Sequence, residues 1–143
     1  MNIEAVPFQA LDAATAYDVW RLRQQVFVVE QESLYADLDG RDDEPGTRHV
    51  LLRDGTRLVG YARVLDDGDT WRIGRVVLAE EARGRGLADP LMTTALKVCV
   101  DRDVVLDAQT PLVKWYASMG FEVTGGEFLD GGIPHLPMRL TRG

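Results

Sequence analysis

Apolar positions along the chain recur with two periods, and each change of period marks a change of element. Residues 3–8 alternate in the manner of an edge strand. Residues 11–31 carry Leu11, Ala14, Val19, Leu22, Val26 and Phe27 at three- and four-residue spacing, the period of a helix in one piece or two. Residues 33–47 have no period and hold Asp37, Asp39, Asp42, Asp43 and Glu44 with Gly40, Pro45 and Gly46, so they read as a polar, acidic loop. Residues 49–52 and 58–65 are strand-like and flank Asp54-Gly55, a pair that favours the tight turn of a hairpin. Residues 71–78 form a further strand. Helical period returns over residues 88–100 through Leu91, Met92, Ala95, Leu96 and Cys99, with Pro90 in the first turn, where its missing N–H is tolerated. Residues 104–108 make a short apolar strand, residues 111–119 a helix stopped by Gly120, and residues 121–124, 127–129 and 136–140 three closing strands. This β-α-β-β-β-α-β-α-β order contains one parallel crossover and predicts an α/β layered domain, with helices on both faces of a sheet and a single domain over residues 1–143.

Composition narrows the picture without changing it. A chain of 143 residues buries roughly 68–70% of its unfolded surface and needs no covalent staple. It has no apolar run long enough for a membrane helix, and its N-terminus lacks the basic and apolar regions of a signal peptide. One cysteine, Cys99, excludes an internal disulfide, which fits the cytoplasm, and its place on an apolar helix face reads as core. A formal net charge of −7 argues against a nucleic-acid partner and suits a cationic acceptor. Two histidines and one cysteine without short spacing make no zinc pattern, and the aspartates around Gly40 lack the calcium-loop spacing, so no metal is expected. Ser33 and Ser118 lack the context of a nucleophile elbow.

The candidate chemistry concentrates at Arg83-Gly84-Arg85-Gly86-Leu87-Ala88, between a strand and a helix. Glycines there let the backbone approach a ligand closely. Successive amides and a helix N-terminus favour anionic oxygens, and two arginines add positive charge, so a phosphate-bearing ligand is the expected occupant. A dinucleotide fingerprint fits Gly84 and Gly86 but meets Asp89 at its third glycine, and it lies mid-chain. The Gly-Lys-Ser/Thr of a P-loop is missing. Arg83, Gly86 and Ala88 do fill [Gln/Arg]-x-x-Gly-x-[Gly/Ala]. That pattern resembles the pyrophosphate loop of the GNAT N-acetyltransferase superfamily. About 30 residues on, Tyr116-Ala117-Ser118-Met119-Gly120-Phe121 resembles that superfamily's Tyr-x-x-x-Gly-Phe element. Phe27-Val28-Val29-Glu30-Gln31, Asp37-x-Asp39-Gly40, Arg48-His49, Ile73-Gly74-Arg75-Val76 and Gly132-Ile133-Pro134-His135 are similar to its ElaA-like branch, a likeness running from about Val19 onward.

The resemblance implies the acyl-CoA N-acyltransferase fold, with a mixed, mostly antiparallel sheet. It implies acetyl-CoA as cosubstrate in a gap between residues 71–78 and 104–108. Backbone at Val76, Val77 and Leu78 would bind the pantetheine, and Arg83, Gly84, Arg85, Gly86, Leu87 and Ala88 would bind the pyrophosphate. An amine, on a small molecule or a peptide, would attack the thioester directly. An amide near Val76 or Val77 would hold the oxyanion, and Tyr116 would protonate the departing thiolate. No carboxylate lies on residues 71–78, so the glutamate base of some relatives has no counterpart there. Glu30, Glu32, Asp107 and His135 are the candidates for that role, with Glu30 and His135 expected on the acceptor side and His49 in a structural hydrogen bond. Asp89 would repel phosphate if it faced the turn. A homodimer through the last strands follows from the likeness. A non-catalytic acyl-CoA-binding or partner-binding module on the same fold, and a small nucleotide binder, stay open as alternatives.

Overall fold

A computed structural model of the chain describes residues 1–142. Its eight strands form one sheet in the order β1-β2-β3-β4-β5-β8-β6, with β7 paired to β8. One half, β1 (Asn2–Val6), β2 (Arg48–Asp54), β3 (Arg57–Asp66) and β4 (Trp71–Leu78), is antiparallel throughout. The other, β5 (Val104–Gln109), β6 (Glu122–Val123), β7 (Phe128–Asp130) and β8 (Ile133–Leu140), is antiparallel as well. The halves meet where β4 runs parallel to β5, joined by the crossover through α2 (Ala88–Val98).

Alternation along the strands decides what each helix covers. Val50, Leu52, Ala62 and Val64 face one side and pack in a core with Leu91, Met92 and Ala95 of α2. Leu51, Tyr61 and Val77 face the other and pack on Val19 of α1 (Ala13–Arg23) and on Val26 beyond it. Helices therefore cover both faces, and the fold is the layered one expected.

Several boundaries differ from the periodicity, each for a local reason. Pro7 ends β1, and Phe8–Ala10 form a 3-10 turn instead of more strand. Asp12 caps α1 by accepting from the Thr15 amide at 2.7 Å. The expected helix over residues 11–31 is α-helical to Arg23 and π-helical over Gln24–Glu30. α2 stops at Val98, because Cys99 leaves helical geometry at ψ 73°. Residues 110–119 divide into a 3-10 turn, Thr110–Leu112, and the short α3 (Val113–Ala117). β8 starts at Ile133 rather than residue 136; Pro134 and Pro137 conceal a strand that nonetheless pairs on both sides.

The acidic stretch is a loop, as expected, and part of it is drawn inward. Asp37 and Asp42 are buried, and so is Arg23 beneath them at 0% exposure. Arg23 donates from Nε to Asp37 Oδ2 at 2.9 Å and from Nη1 to Asp42 Oδ1 at 2.6 Å. Arg63 binds Asp39 Oδ2 at 2.8 Å and Asp42 Oδ1 at 3.2 Å. His49 makes a structural hydrogen bond, as expected: Nε2 lies 2.8 Å from the Asp42 carbonyl and Nδ1 2.6 Å from the Tyr61 hydroxyl. A carbonyl can only accept, so Nε2 carries the hydrogen and Nδ1 accepts from Tyr61.

Candidate active site

β4 and β5 pair only at Trp71 with Val104 and Arg72 with Val105. From Ile73 onward the β5-facing backbone groups of β4 have no strand partner, and such a row of free amides and carbonyls is a template for an extended ligand. On its other edge β4 contains a bulge. Tyr61 faces Val77 and Arg63 faces Gly74, so Arg75 and Val76 together oppose Ala62. Arg75 sits at φ +53°, the left-handed region, which costs a non-glycine residue about 1–2 kcal/mol. Its side chain holds it there. The guanidinium lies 2.9 Å from Asp37 Oδ1, donates to the Asp37 carbonyl at 3.1 Å and stacks 5.3 Å from the Tyr35 ring centroid. The acidic loop thus has a task beyond solvation: with Arg23 and Arg63 it anchors the bulge that turns the backbone at Val76.

Beyond Leu78 the chain makes a 3-10 turn, Glu80–Ala82, and then the glycine-rich turn. Gly84 at φ +73° and Gly86 at φ +71° adopt a backbone that other residues resist. Among the described residues the amides from Gly86 through Asp89 find no backbone acceptor. Such unsatisfied amides at a helix start are the groups that an anion cradle uses. Arg83 turns elsewhere: it donates to the Leu78 carbonyl at 3.2 Å and to Glu30 at 2.9 and 3.2 Å. Arg85 is exposed and in no ion pair among the described residues. Asp89 is exposed, but its carboxylate is engaged. Its carboxylate accepts from the Trp115 indole at 2.8 Å, so the first turn of α2 is tied to α3.

α3 delivers Tyr116 to the cleft between the splayed strands. Tyr116 is 6% exposed and packs edge-on against Phe121, 6.1 Å between centroids. Burial pushes its phenol up to about 12, and its hydroxyl makes no hydrogen bond among the described residues. Val76, Leu106, Asp107, Gln109 and His135 share that cleft with it. His135 lines that cleft, with Nδ1 2.7 Å from the Ile133 carbonyl and its ring stacked on Phe128 at 5.8 Å and 25°. Glu30 does not join it. The ion pair with Arg83 holds Glu30 at a separate groove lined by Arg21, Gln25 and Glu80, so the two residues expected on the acceptor side are parted. Asp107 lines the cleft but is 3.4 Å from Arg72, and Glu32 is exposed away from it.

Three features of the site escape sequence reasoning: the bulge at Arg75, the arginine clamp on the acidic loop and the Asp89–Trp115 link. Each joins residues far apart in the chain, and none leaves a local motif.

The family model described as acetyltransferase (GNAT) domain matches residues 11–142. UPF0039 protein Rv2851c of Mycobacterium tuberculosis is 42% identical over 134 residues, covering 90% of this chain and 85% of that protein. Protein ElaA of Escherichia coli is 38% identical over 135 residues, covering 90% and 88%. The crystal structure of Escherichia coli ElaA superposes with a TM-score of 0.93, at 33% identity in that alignment, over 98% of this chain and 99% of that one. An acyl-CoA N-acyltransferase from Pseudomonas aeruginosa superposes with a TM-score of 0.92, 33% identity and 99% and 100% coverage. The matched family model, the curated relatives and the superposed structures agree: the chain belongs to the GNAT acetyltransferases, in the ElaA-like branch, and is an acyltransferase.

Proposed function

We propose that the protein moves the acetyl group of acetyl-CoA to a primary amine, by direct attack within a ternary complex. The observation that carries this reading is the run of β4 backbone beyond Arg72 without a β5 partner, which shares the cleft with Tyr116 as far as Val76 and is followed in the chain by the turn whose Gly86–Asp89 amides find no backbone acceptor among the described residues. An extended pantetheine suits the β4 edge at Val76, Val77 and Leu78, where the Leu78 carbonyl also accepts from Arg83. The diphosphate suits the amides between Arg83 and Ala88, while the Arg83 side chain is engaged by Glu30. An amide turned by the bulge, at Val76 or Val77, stabilises the oxyanion of the tetrahedral adduct. Tyr116, protonated at every physiological pH, supplies the proton that the sulfur takes as it leaves. The reaction as proposed assigns no step to a metal.

Titration calorimetry with acetyl-CoA, followed by a panel of amines scored by release of free CoA thiol, tests the reading. Binding with thiol release on at least one amine supports it. Binding with no release on any acceptor favours a non-catalytic module, and no heat with saturating acetyl-CoA overturns it.

A further inference from the structure

An amine that arrives as an ammonium must lose a proton before it can attack, and no carboxylate on β4 is there to take it. The geometry points to His135 as the general base for the acceptor, an inference that rests on the acetyl-transfer reading above. The Nδ1 atom lies 2.7 Å from the Ile133 carbonyl, and a carbonyl only accepts. Nδ1 therefore carries the ring hydrogen, and the lone pair belongs to Nε2, which makes no hydrogen bond among the described residues. The ring has little freedom: it is 9% exposed and stacked on Phe128. β8 sets it directly across from Gln109 on β5, whose side chain is bonded to Gln31 at 3.1 Å. A tautomer set by backbone and an orientation set by stacking are the marks of a positioned base.

The other candidates are engaged or misplaced. Glu30 is paired with Arg83 at the other groove, Glu32 is outside the cleft, and Asp107 is shared with Arg72. The acidic groups in the cleft with His135 are Asp107 on β5 and Asp130 on β7, with the phenols of Tyr35 and Tyr116. The basic ones are Arg63 on β3 and Arg72 and Arg75 on β4. Each of these arginines is already paired with an aspartate. Of the proton acceptors in the cleft that no cation engages among the described residues, Asp130 is exposed on β7, whereas the imidazole is buried and fixed by Phe128 and the Ile133 carbonyl.

The balance of the step is complete. Nε2 takes one proton from the ammonium, and the freed lone pair forms the C–N bond to the thioester carbonyl carbon. Collapse of the adduct breaks the C–S bond, and sulfur takes the Tyr116 hydroxyl proton. The second nitrogen-bound proton restores the phenol through solvent, and His135 returns its own to water. Ammonium and acetyl-CoA give amide, CoA thiol and one released proton.

The test uses His135→Asn, whose amide nitrogen can still donate to the Ile133 carbonyl but which has no basic atom. Thermal melting and acetyl-CoA calorimetry establish that it folds and binds. With propylamine, an ammonium at pH 7, kcat/KM is expected to fall about 10²-fold and the rising limb of its pH profile to disappear. With trifluoroethylamine, largely neutral at pH 7, the loss is expected to be severalfold at most. Equal loss on both amines, or an unchanged profile, overturns the assignment. Nitrogen-15 NMR of the wild-type imidazole decides independently of turnover. Hydrogen on Nδ1, with an Nε2 resonance that moves when acetyl-CoA is added, supports the base; hydrogen on Nε2, or no response, refutes it. Failure of acetyl-CoA to bind the wild type would instead remove the acetyl-transfer reading on which the inference stands.

Discussion

Two buried hydroxyl- and thiol-bearing side chains show how surroundings divide chemistry from packing. Cys99 is 1% exposed, its Sγ donates to the Ala95 carbonyl at 3.4 Å, and burial pushes its thiol up to about 12. No thiolate forms near neutrality, so this sulfur is core. Tyr116 is pushed up to about 12 by the same desolvation, yet its hydroxyl has no partner among the described residues and the side chain lines the cleft. The rise that disables a nucleophile leaves an acid in its proton-bearing form near neutrality, so the phenol has a proton to give when the thiolate departs, while the same rise lowers its acid strength. Tyr116→Phe removes one oxygen and leaves the Phe121 packing intact. Turnover is expected to fall about 10²–10⁴-fold while acetyl-CoA affinity in calorimetry stays within about twofold. Unchanged turnover would take Tyr116 out of the mechanism.

At the entry to α2, backbone conformation and one side-chain bond matter more than charge. An added Cβ at Gly86 would meet nothing within 4 Å, so Gly86→Ala tests the φ of +71° alone. The turn is exposed and can relax. The cost of about 1–2 kcal/mol is therefore expected in the ligand-bound turn, as a 5- to 30-fold weaker Kd for acetyl-CoA with little change in Tm. Equal affinity in Gly86→Ala would mean that the cofactor does not need this turn geometry. The Asp89–Trp115 bond ties that turn to the helix with the phenol. Asp89→Asn keeps an acceptor oxygen and Asp89→Ala does not. The alanine variant is expected to lose kcat about tenfold with nearly unchanged KM for acetyl-CoA, and the asparagine variant to keep most of it; if both behave alike, the bond positions nothing. What could be read in advance follows the same division. Gly84, Gly86 and the helical period after them are local, and they marked turn and α2 correctly. β8 was shortened because prolines break a strand pattern, whereas pairing on both sides overrides propensity. The bulge at Arg75 and the Asp89–Trp115 link depend on contacts 26 or more residues away, which no window along the chain contains.

Across the molecule, a net charge of −7 coexists with an interior that depends on ionised aspartates. Residues 33–47 read as a polar, acidic loop, and composition does not tell that Arg23, Arg63 and Arg75 draw its aspartates onto the sheet beside the cleft. Two groups in that region make stability depend on pH, with the same sign. Burial holds His49 below the ordinary imidazole range, with the Asp42 carbonyl opposing it only in part. A depressed value means that the folded state prefers the neutral ring. Its contribution is full above the unfolded pKa of about 6.5 and is lost as pH falls through the folded one. Burial works against ionisation of Asp39, but the Arg63 hydrogen bonds and the Arg41 amide outweigh it and hold the carboxyl well below the usual range. Its contribution is full above about 3.9 and is lost further down. Denaturant unfolding between pH 8 and pH 3 should therefore weaken in two stages, the first starting near pH 6.5 and the second below pH 4. His49→Gln, whatever its absolute stability, should flatten the first stage and leave the second. A first stage that survives in His49→Gln would show that the buried imidazole is not what couples this fold to protons near neutrality.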